Sequence, residues 1–172
     1  HLRTRRQRQM CIRDRCCYFP GIKDSPINSE KLWKLIDDSN ENAENYYGGN
    51  IWENKIYGKF FNSPKNNGSL YSSRRRFTEA VAKKKILSPS PTFNCVGPGA
   101  VGTGTLAGMR ILNLLKNNTK IWPFDELNFS TKTVIVEIFP SYYFRLSKIK
   151  PEKKVGYTIE NINKSLEFFN SR

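Results

Sequence analysis

The sequence predicts an α/β fold, on the basis of one glycine-rich turn and two β-like runs. A short apolar run at 92–96 leads into a loop with five glycines and then into an amphipathic segment. Glycine tolerates positive φ and lets the backbone approach a neighbour closely, so such a cluster is typical of a shaped turn from strand to helix. The runs at 120–124 and 132–139 follow, and the second has the apolar character of a buried central strand. We therefore expect a mixed sheet with helices packed against it.

Helical spacing of apolar residues predicts the principal helices. The first is expected to be capped by Ser29 and to direct the apolar side chains at 32–36 inward. The second is expected at 105–116, with Thr103 or Thr105 as its N-cap. The last is expected at 158–169, with one apolar face formed by Ile159, Ile162, Leu166 and Phe169.

Shorter segments carry weaker patterns. A short helix is expected at 142–146, after Pro140 ends the central strand, and 70–85 is expected to form a strand leading into a helix, or one helix. The aromatic-rich segment 46–61 is broken by glycines, so we expect irregular structure packed on the domain. Trp122 and Phe124 are expected in the core rather than as base-stacking platforms.

The charge of the chain suits an anionic partner such as nucleic acid. The formal net charge is +14, of which the first seventeen residues contribute +5, leaving +9 for the remainder. Residues 1–17 are arginine-rich, lack a hydrophobic period and resemble translated adapter sequence of the kind found at the ends of metagenomic gene fragments. We interpret them as a non-native arm, the alternative being a basic arm that binds nucleic acid, and we expect 18–172 to be a single α/β domain.

Composition excludes several kinds of chemistry. The single histidine is His1, which argues against a Ser-His-Asp or Cys-His mechanism and against a histidine-based metal site. The four cysteines lack the spacing of a metal site, and Cys95 in its apolar run is expected to be a buried small side chain. The sequence has neither an apolar run long enough to span a bilayer nor a signal peptide, so we expect a cytoplasmic protein without a membrane partner.

The glycine loop matches the pattern GxGxxG, with Asp125 following 23 residues later. This imitates the dinucleotide fingerprint, in which glycines admit the pyrophosphate and an acidic residue takes the ribose hydroxyl. The helix expected to begin after Gly102 argues against NAD binding. A phosphate-binding P-loop would need lysine where Thr103 stands. The alternative is a tight turn that lets helix and sheet pack closely. The candidate cofactor-binding residues are Gly97, Gly99, Gly102, Thr103 and Thr105.

Two features predict contacts with nucleic acid. Arg74, Arg75 and Arg76, with the flanking aromatic rings of Tyr71 and Phe77, have the residue types that bind phosphate and stack a base. The alternative for this run is a solvated face. Arg110, which follows the glycine loop in the sequence, is also expected to contact nucleic acid, by lining the cleft at that loop.

Glu137 is the leading catalytic candidate, because a carboxylate in an apolar strand is expensive to bury without a partner. One interpretation is a metal ligand for phosphodiester chemistry, where carboxylates from several strands converge. In that case Asp125, the second catalytic candidate, or Glu79 should converge on Glu137, since a lone carboxylate holds Mg²⁺ poorly. The other interpretation is a structural carboxylate that accepts hydrogen bonds from the glycine loop.

Three motifs occur in order in the second half of the chain. Residues 97–110 read GPGAVGTGTLAGMR, 121–125 read IWPFD, and 134–145 read VIVEIFPSYYFR. In order and rough spacing they resemble the VGTGSL-GM, WPFD and VVEIYPR motifs of an uncharacterised bacterial family of predicted nucleases with a ribonuclease-H-like fold. RRRFTEAVA at 74–82 also resembles the family's RRTE segment. The resemblance covers roughly 18–148.

The resemblance implies a ribonuclease-H-like fold and a nuclease that uses Mg²⁺ or Mn²⁺. Of the family's carboxylates it carries over Glu137 alone. The family pattern also begins with a strand bearing aspartate and ends with an acidic, alanine-rich helix, and neither is visible here. The resemblance therefore implies a domain truncated at both ends and inactive in this form. The alternatives are a non-catalytic module that binds nucleic acid or nucleotides and, third, an NAD-binding domain. The sequence carries no signal of oligomeric state.

Overall fold

The computed structural model describes residues 19–73, 75, 77–85, 89–91, 93–97, 100–128, 130–136, 140–150 and 156–171. These residues combine helices with a parallel pair of strands, so the predicted α/β class is confirmed at that level. They divide into two compact units, with boundaries at Thr78, Ser90 and Val136. The first unit contains the described residues up to Thr78 together with Ser90–Val136, and the second contains the rest.

Helix α1, Ser29–Asp38, opens the first unit and follows its predicted amphipathic pattern. Leu32, Trp33 and Ile36 are buried, because residues spaced three and four apart share one face of a helix. The N-cap is Asn28 rather than the predicted Ser29. The Asn28 side chain accepts a 2.9 Å hydrogen bond from the backbone N–H of Lys31 and so satisfies one of the open donors of the first turn.

The centre of the core comes from a segment that the sequence analysis placed at the periphery. Residues 46–61 form two 3₁₀ helices, Gly49–Glu53 and Tyr57–Phe60, which bury Ile51, Trp52, Tyr57, Phe60 and the following Phe61. Phe19 packs into this group, with its ring centroid 4.7 Å from that of Tyr57 and 5.4 Å from that of Phe93. Such aromatic pairs contribute about 0.5–1.5 kcal/mol each beyond the area that they bury.

Helix α2 is Phe77–Lys85, and helix α3 is Gly102–Leu115. Helix α3 packs on α1 and begins three residues before the predicted start. Its N-cap is Val101, which has no capping side chain, so the prediction of Thr103 or Thr105 as the cap is wrong. The Thr105 hydroxyl donates to the carbonyl of Val101 within the first turn at 3.1 Å. A threonine inside the helix bonds back to a carbonyl in this way, whereas a cap must accept from a backbone N–H.

The sheet of the described residues pairs β1, Lys120–Trp122, with β2, Val134–Val136, in parallel. Lys120 lies opposite Val134 and Trp122 opposite Val136. The predicted strand at 92–96 is not observed in its described part, where Asn94 makes one isolated bridge to Asn62 and Phe93 has φ +63°. The second strand was predicted to be central, but a sheet of two strands has no central strand. Residues 137–139, the end of the predicted strand, lie outside the described residues.

Trp122 and Phe124 are not in the core as predicted, since they are 44% and 45% exposed. Within β1 it is Ile121 that is buried, and successive side chains of a strand point to opposite faces. Trp122 therefore faces away from the core. Phe124 packs its edge against Trp33, with ring centroids 5.3 Å apart.

The second unit contains helices α4, Pro140–Leu146, and α5, Ile159–Asn170, close to their predicted bounds. Phe144 is buried and stacks on Tyr157 with ring centroids 4.0 Å apart. Thr158 caps α5 in a reciprocal pair of hydrogen bonds with Asn161. The predicted apolar face of α5 is largely exposed, with Ile159 at 78%. None of the described helices combines the length and the apolar character that crossing a bilayer requires.

Candidate functional site

The best-defined polar cluster of the first unit joins α1 to α3. Arg110 of α3 donates from Nε to Oδ1 of Asp37 on α1 at 2.9 Å. Its Nη1 donates to the carbonyls of Ala43 at 3.1 Å and Tyr47 at 2.8 Å. The guanidinium group therefore bonds both to the facing helix and to the loop that follows that helix.

Arg110 is only 8% exposed, and the ring of Tyr46 lies against its guanidinium group at 5.9 Å. The sequence analysis predicted Arg110 as a surface contact to nucleic acid. The structure instead places this residue inside the first unit, with its donors directed at protein acceptors. A buried guanidinium group with these partners fixes the position of α3, and therefore of the end of the glycine loop, relative to α1.

The carboxylate of Asp37 is held by two donors. Besides Arg110, Asn113 donates from Nδ2 to Oδ2 of Asp37 at 2.9 Å. Burial by itself raises the pKa of Asp37, but the hydrogen bonds from Arg110 and Asn113 outweigh that effect and hold the pKa below its usual range. Asp37 is thus ionised at neutral pH and serves as the counter-ion of the buried arginine.

The described part of the glycine loop is shaped by close packing. Gly97 has φ +90°, a conformation that side-chain-bearing residues rarely adopt. A Cβ on Gly102 would lie 2.5 Å from the carbonyl oxygen of Asn94 and 2.7 Å from Sγ of Cys95. Only glycine lets α3 begin against this segment. These contacts favour the interpretation of the loop as a tight packing turn.

The remaining cofactor candidates divide between the start of α3 and residues outside the described ranges. Gly102 is the first residue of α3, so it does lie in the first helical turn, contrary to expectation. Thr103 is half-buried in the same turn, and the Thr105 hydroxyl is engaged with Val101. Gly99 lies outside the described residues. The observed start of α3 thus agrees with the dinucleotide fingerprint. The strand that precedes the loop in that fingerprint is not found among the described residues before the loop.

Asp125 closes the turn after β1. Its Oδ2 accepts a 2.7 Å hydrogen bond from the backbone N–H of Ile121, and its own N–H donates to the carbonyl of Ile121 at 2.9 Å. Asp125 therefore lies just beyond the carboxyl end of β1, with one carboxylate oxygen fixed by the strand.

Glu137 and the segment 138–139 lie outside the described residues, so the predicted contact of Glu137 with the glycine loop stays a prediction. In the chain, Glu137 directly follows Val136, the last residue of β2. Paired parallel strands end at the same edge of a sheet, and Trp122 is in register with Val136. Asp125 therefore lies beyond the carboxyl end of β1, and Glu137 is the next residue in the chain after β2 ends.

The described residues do not by themselves supply a metal site. They contain no group of three histidine, cysteine, aspartate or glutamate side chains placed to hold an ion. A Mg²⁺ or Mn²⁺ ion prefers several oxygen ligands. Of the two catalytic candidates, Glu137 and Asp125, only Asp125 is among the described residues. Glu137, the expected main ligand, lies outside the described residues, so the Mg²⁺ or Mn²⁺ that the family resemblance implies stays a prediction. We derive no reaction step through a metal ion.

The predicted arginine cluster is described only at Arg75, because Arg74 and Arg76 lie outside the described residues. Arg75 is half-buried. Burial raises the pKa of Tyr71, and the positive charge of Arg75 offsets part of that rise, so the two side chains lie within electrostatic reach of each other. Tyr71 is half-buried and packs against the core.

Sequence reasoning missed a basic groove on the first unit. It has a volume of about 590 Å³ and is lined by Lys55, Lys59 and Lys65 together with polar side chains and backbone of 52–69. The three lysines are spaced four and six residues apart in a segment without regular periodicity. The one signal that could have indicated them is the recurrence of lysine in a glycine- and asparagine-rich stretch.

Comparison of the chain with protein-family models, with curated proteins and with solved structures gives no match. The likeness to the nuclease family therefore depends on the motifs of the sequence itself.

Proposed function

We propose that this chain is a nucleic-acid-directed phosphodiesterase-like domain of ribonuclease-H-like ancestry, metal-dependent in its intact form. The observation that carries the proposal is the parallel, in-register pairing of β1 with β2. This pairing supports the proposal because Asp125 lies beyond the carboxyl end of β1, where ligands of open α/β sheets bind, and Glu137 is the next residue in the chain after β2. The order of the three motifs around these carboxylates is the second support.

In this proposal the two carboxylates have different tasks. Glu137 would be the main ligand for Mg²⁺ or Mn²⁺, and Asp125 would offer the carboxylate oxygen that does not accept from Ile121. A bound divalent ion would supply charge stabilisation to the phosphodiester group. The chain itself contributes the orientation of Asp125, which its hydrogen bond to the strand fixes before any ligand arrives.

The test is cleavage of a fluorescently labelled oligonucleotide by the purified chain with Mg²⁺ or Mn²⁺. Any cleavage should require the metal ion and should be lost in Glu137→Gln, since this change removes the main proposed ligand of the ion. Glu41→Gln is the matched control, because Glu41 is exposed and lies outside the proposed site. Cleavage that is equal in both variants, or that needs no metal ion, would contradict the proposal.

The second candidate is a non-catalytic module that binds nucleic acid. It is favoured by the net charge of +9 outside residues 1–17, which suits an anionic partner. Binding that weakens steeply with salt, without cleavage under any metal condition, would support it over the enzyme.

NAD binding is the third candidate, favoured by the position of Gly102 at the first residue of α3. Thermal stabilisation of the chain by NAD, in the absence of any effect of oligonucleotides, would support it over the other two.

A further inference from the structure

The residues that line the basic groove of the first unit do not include the carboxylates of the proposed function. All of its lining residues belong to the stretch from Trp52 to Ser69. Three lysines, Lys55, Lys59 and Lys65, line it together with one carboxylate, that of Glu53. The lining of the groove thus has a net charge of +2, and the groove has a volume of about 590 Å³.

The charges of the groove are not neutralised within the described part of the chain. Lys65 forms an ion pair with Glu53 at the rim. Among the described residues, neither Lys55 nor Lys59 is found in an ion pair or a side-chain hydrogen bond, and both are exposed. Lys55 and Lys59 thus add two positive charges to the lining of the groove, and this charge favours an anion there.

The backbone beneath these lysines is held in shape before any ligand binds. Gly58 donates to the carbonyl of Asn54 at 2.9 Å, Gly68 to that of Phe61 at 2.9 Å, and Leu70 to that of Lys59 at 2.9 Å. A Cβ on Gly58 would lie 2.2 Å from the carbonyl oxygen of Trp52, so the backbone there has no room for a side chain. A preformed groove loses little conformational freedom when a ligand enters.

The groove offers charge and hydrogen bonds rather than a stacking surface. Trp52 lines it but is almost fully buried, so its ring is not presented to a base. Asn67 and Ser69 are exposed at the rim and supply neutral donors. Lysine binds phosphate as a point charge without reading base identity.

We propose that this groove binds the phosphate groups of a nucleic-acid strand, independently of base sequence, through Lys55, Lys59 and Lys65. The inference rests on the proposed function, in which nucleic acid is the partner. It adds the location on the protein at which the nucleic acid binds. Nucleic acid is the occupant that the chain's charge favours, because the net charge outside residues 1–17 is +9.

The experiment measures binding of a fluorescein-labelled, mixed-sequence single-stranded oligonucleotide by anisotropy at several salt concentrations. The test variant carries Lys55→Gln, Lys59→Gln and Lys65→Gln. The control variant carries Lys23→Gln, Lys31→Gln and Lys34→Gln, which removes the same charge from exposed lysines of the same unit outside the groove. Circular dichroism establishes that both variants are folded.

We expect the logarithmic salt dependence of binding to be smaller by roughly 2 in the test variant, since each phosphate contact on a single strand contributes about 0.7. Between 50 and 200 mM salt, the wild-type chain should therefore lose roughly 16-fold more affinity than the test variant. The control variant should keep the wild-type salt dependence, and oligonucleotides of different base composition should bind alike.

Equal effects of the test and control variants would overturn the inference, because nonspecific attraction would then account for binding. This outcome differs from failure of the proposed function. If Glu137-dependent cleavage is found but the groove variant binds normally, the function stands and the groove is rejected. If binding depends on the groove but cleavage is unchanged in Glu137→Gln, the groove stands and the enzyme is rejected.

Discussion

The pair formed by Asp37 and Arg110 gives the sharpest stability prediction. Asp37→Asn keeps the shape of the side chain but removes the counter-ion of a buried guanidinium group. Breaking a fully buried ion pair costs about 3–5 kcal/mol, and an exposed pair contributes about 0–1 kcal/mol. The side chain of Arg110 is 9% exposed and that of Asp37 is 33% exposed, so the pair lies between these limits. We expect a loss of about 2 kcal/mol in the free energy of unfolding.

The assay is urea unfolding followed by circular dichroism, with a thermal scan beside it. A loss of about 2 kcal/mol corresponds to a drop of about 4–8 °C in Tm for a chain of this length. The matched control is Asp38→Asn, since Asp38 is the next residue and pairs with Lys34 on the surface of the same helix. That variant should lose about 0.5 kcal/mol or less. If Asp37→Asn cost no more than Asp38→Asn, the assignment of Arg110 as a structural anchor would be refuted.

Two further predictions concern the same unit. Because the folded-state pKa of Asp37 lies below its ordinary 3.8, its contribution to stability is present above that value and is lost as the pH falls through the folded pKa. The urea midpoint of the wild-type chain should therefore fall between pH 5 and pH 3 by more than that of Asp37→Asn, and parallel curves would contradict this. On α3, Gly102→Ala should destabilise by about 1–3 kcal/mol because its Cβ meets Asn94 and Cys95. Gly104→Ala, whose Cβ meets nothing within 4 Å, should stabilise by up to about 1 kcal/mol, and a reversed order in urea unfolding would refute the packing argument.

The sequence predicted the helices and strands whose formation depends on interactions between residues close together in the chain. Helix α1 was predicted because apolar spacing is a property of a few neighbouring residues, and its boundary differed by one position at the cap. The start of α3 was misplaced because its first turn reads GTGT, a weak helix-forming sequence that packing against Asn94 stabilises. Strand β1 was predicted, but its exposed and buried faces were not, since only Ile121 contacts the core.

The parts that sequence reasoning missed depend on contacts between distant residues. Arg110 and Asp37 are 73 positions apart, and nothing near either residue indicates the other. The core centre at 46–61 was missed because short 3₁₀ helices bury aromatic side chains without a repeating pattern. The spacing of the groove lysines matches neither a helix nor a strand. The fold of the backbone, and not a sequence pattern, places all three in the lining of one groove. Glu137, Arg74, Arg76 and Gly99 stay predictions from the sequence.

The small size of the β1–β2 pair has a consequence for how the first unit opens. Each strand has three residues, and two short paired strands contribute little stability by themselves. The amides of the pair should therefore exchange with solvent through local opening, at a lower free energy than those enclosed by the rings around Phe19. The N–H of Ile121, which holds Asp125, belongs to this pair. We therefore expect the hydrogen bond that orients Asp125 to open transiently, with the strand pair, while the aromatic core remains closed.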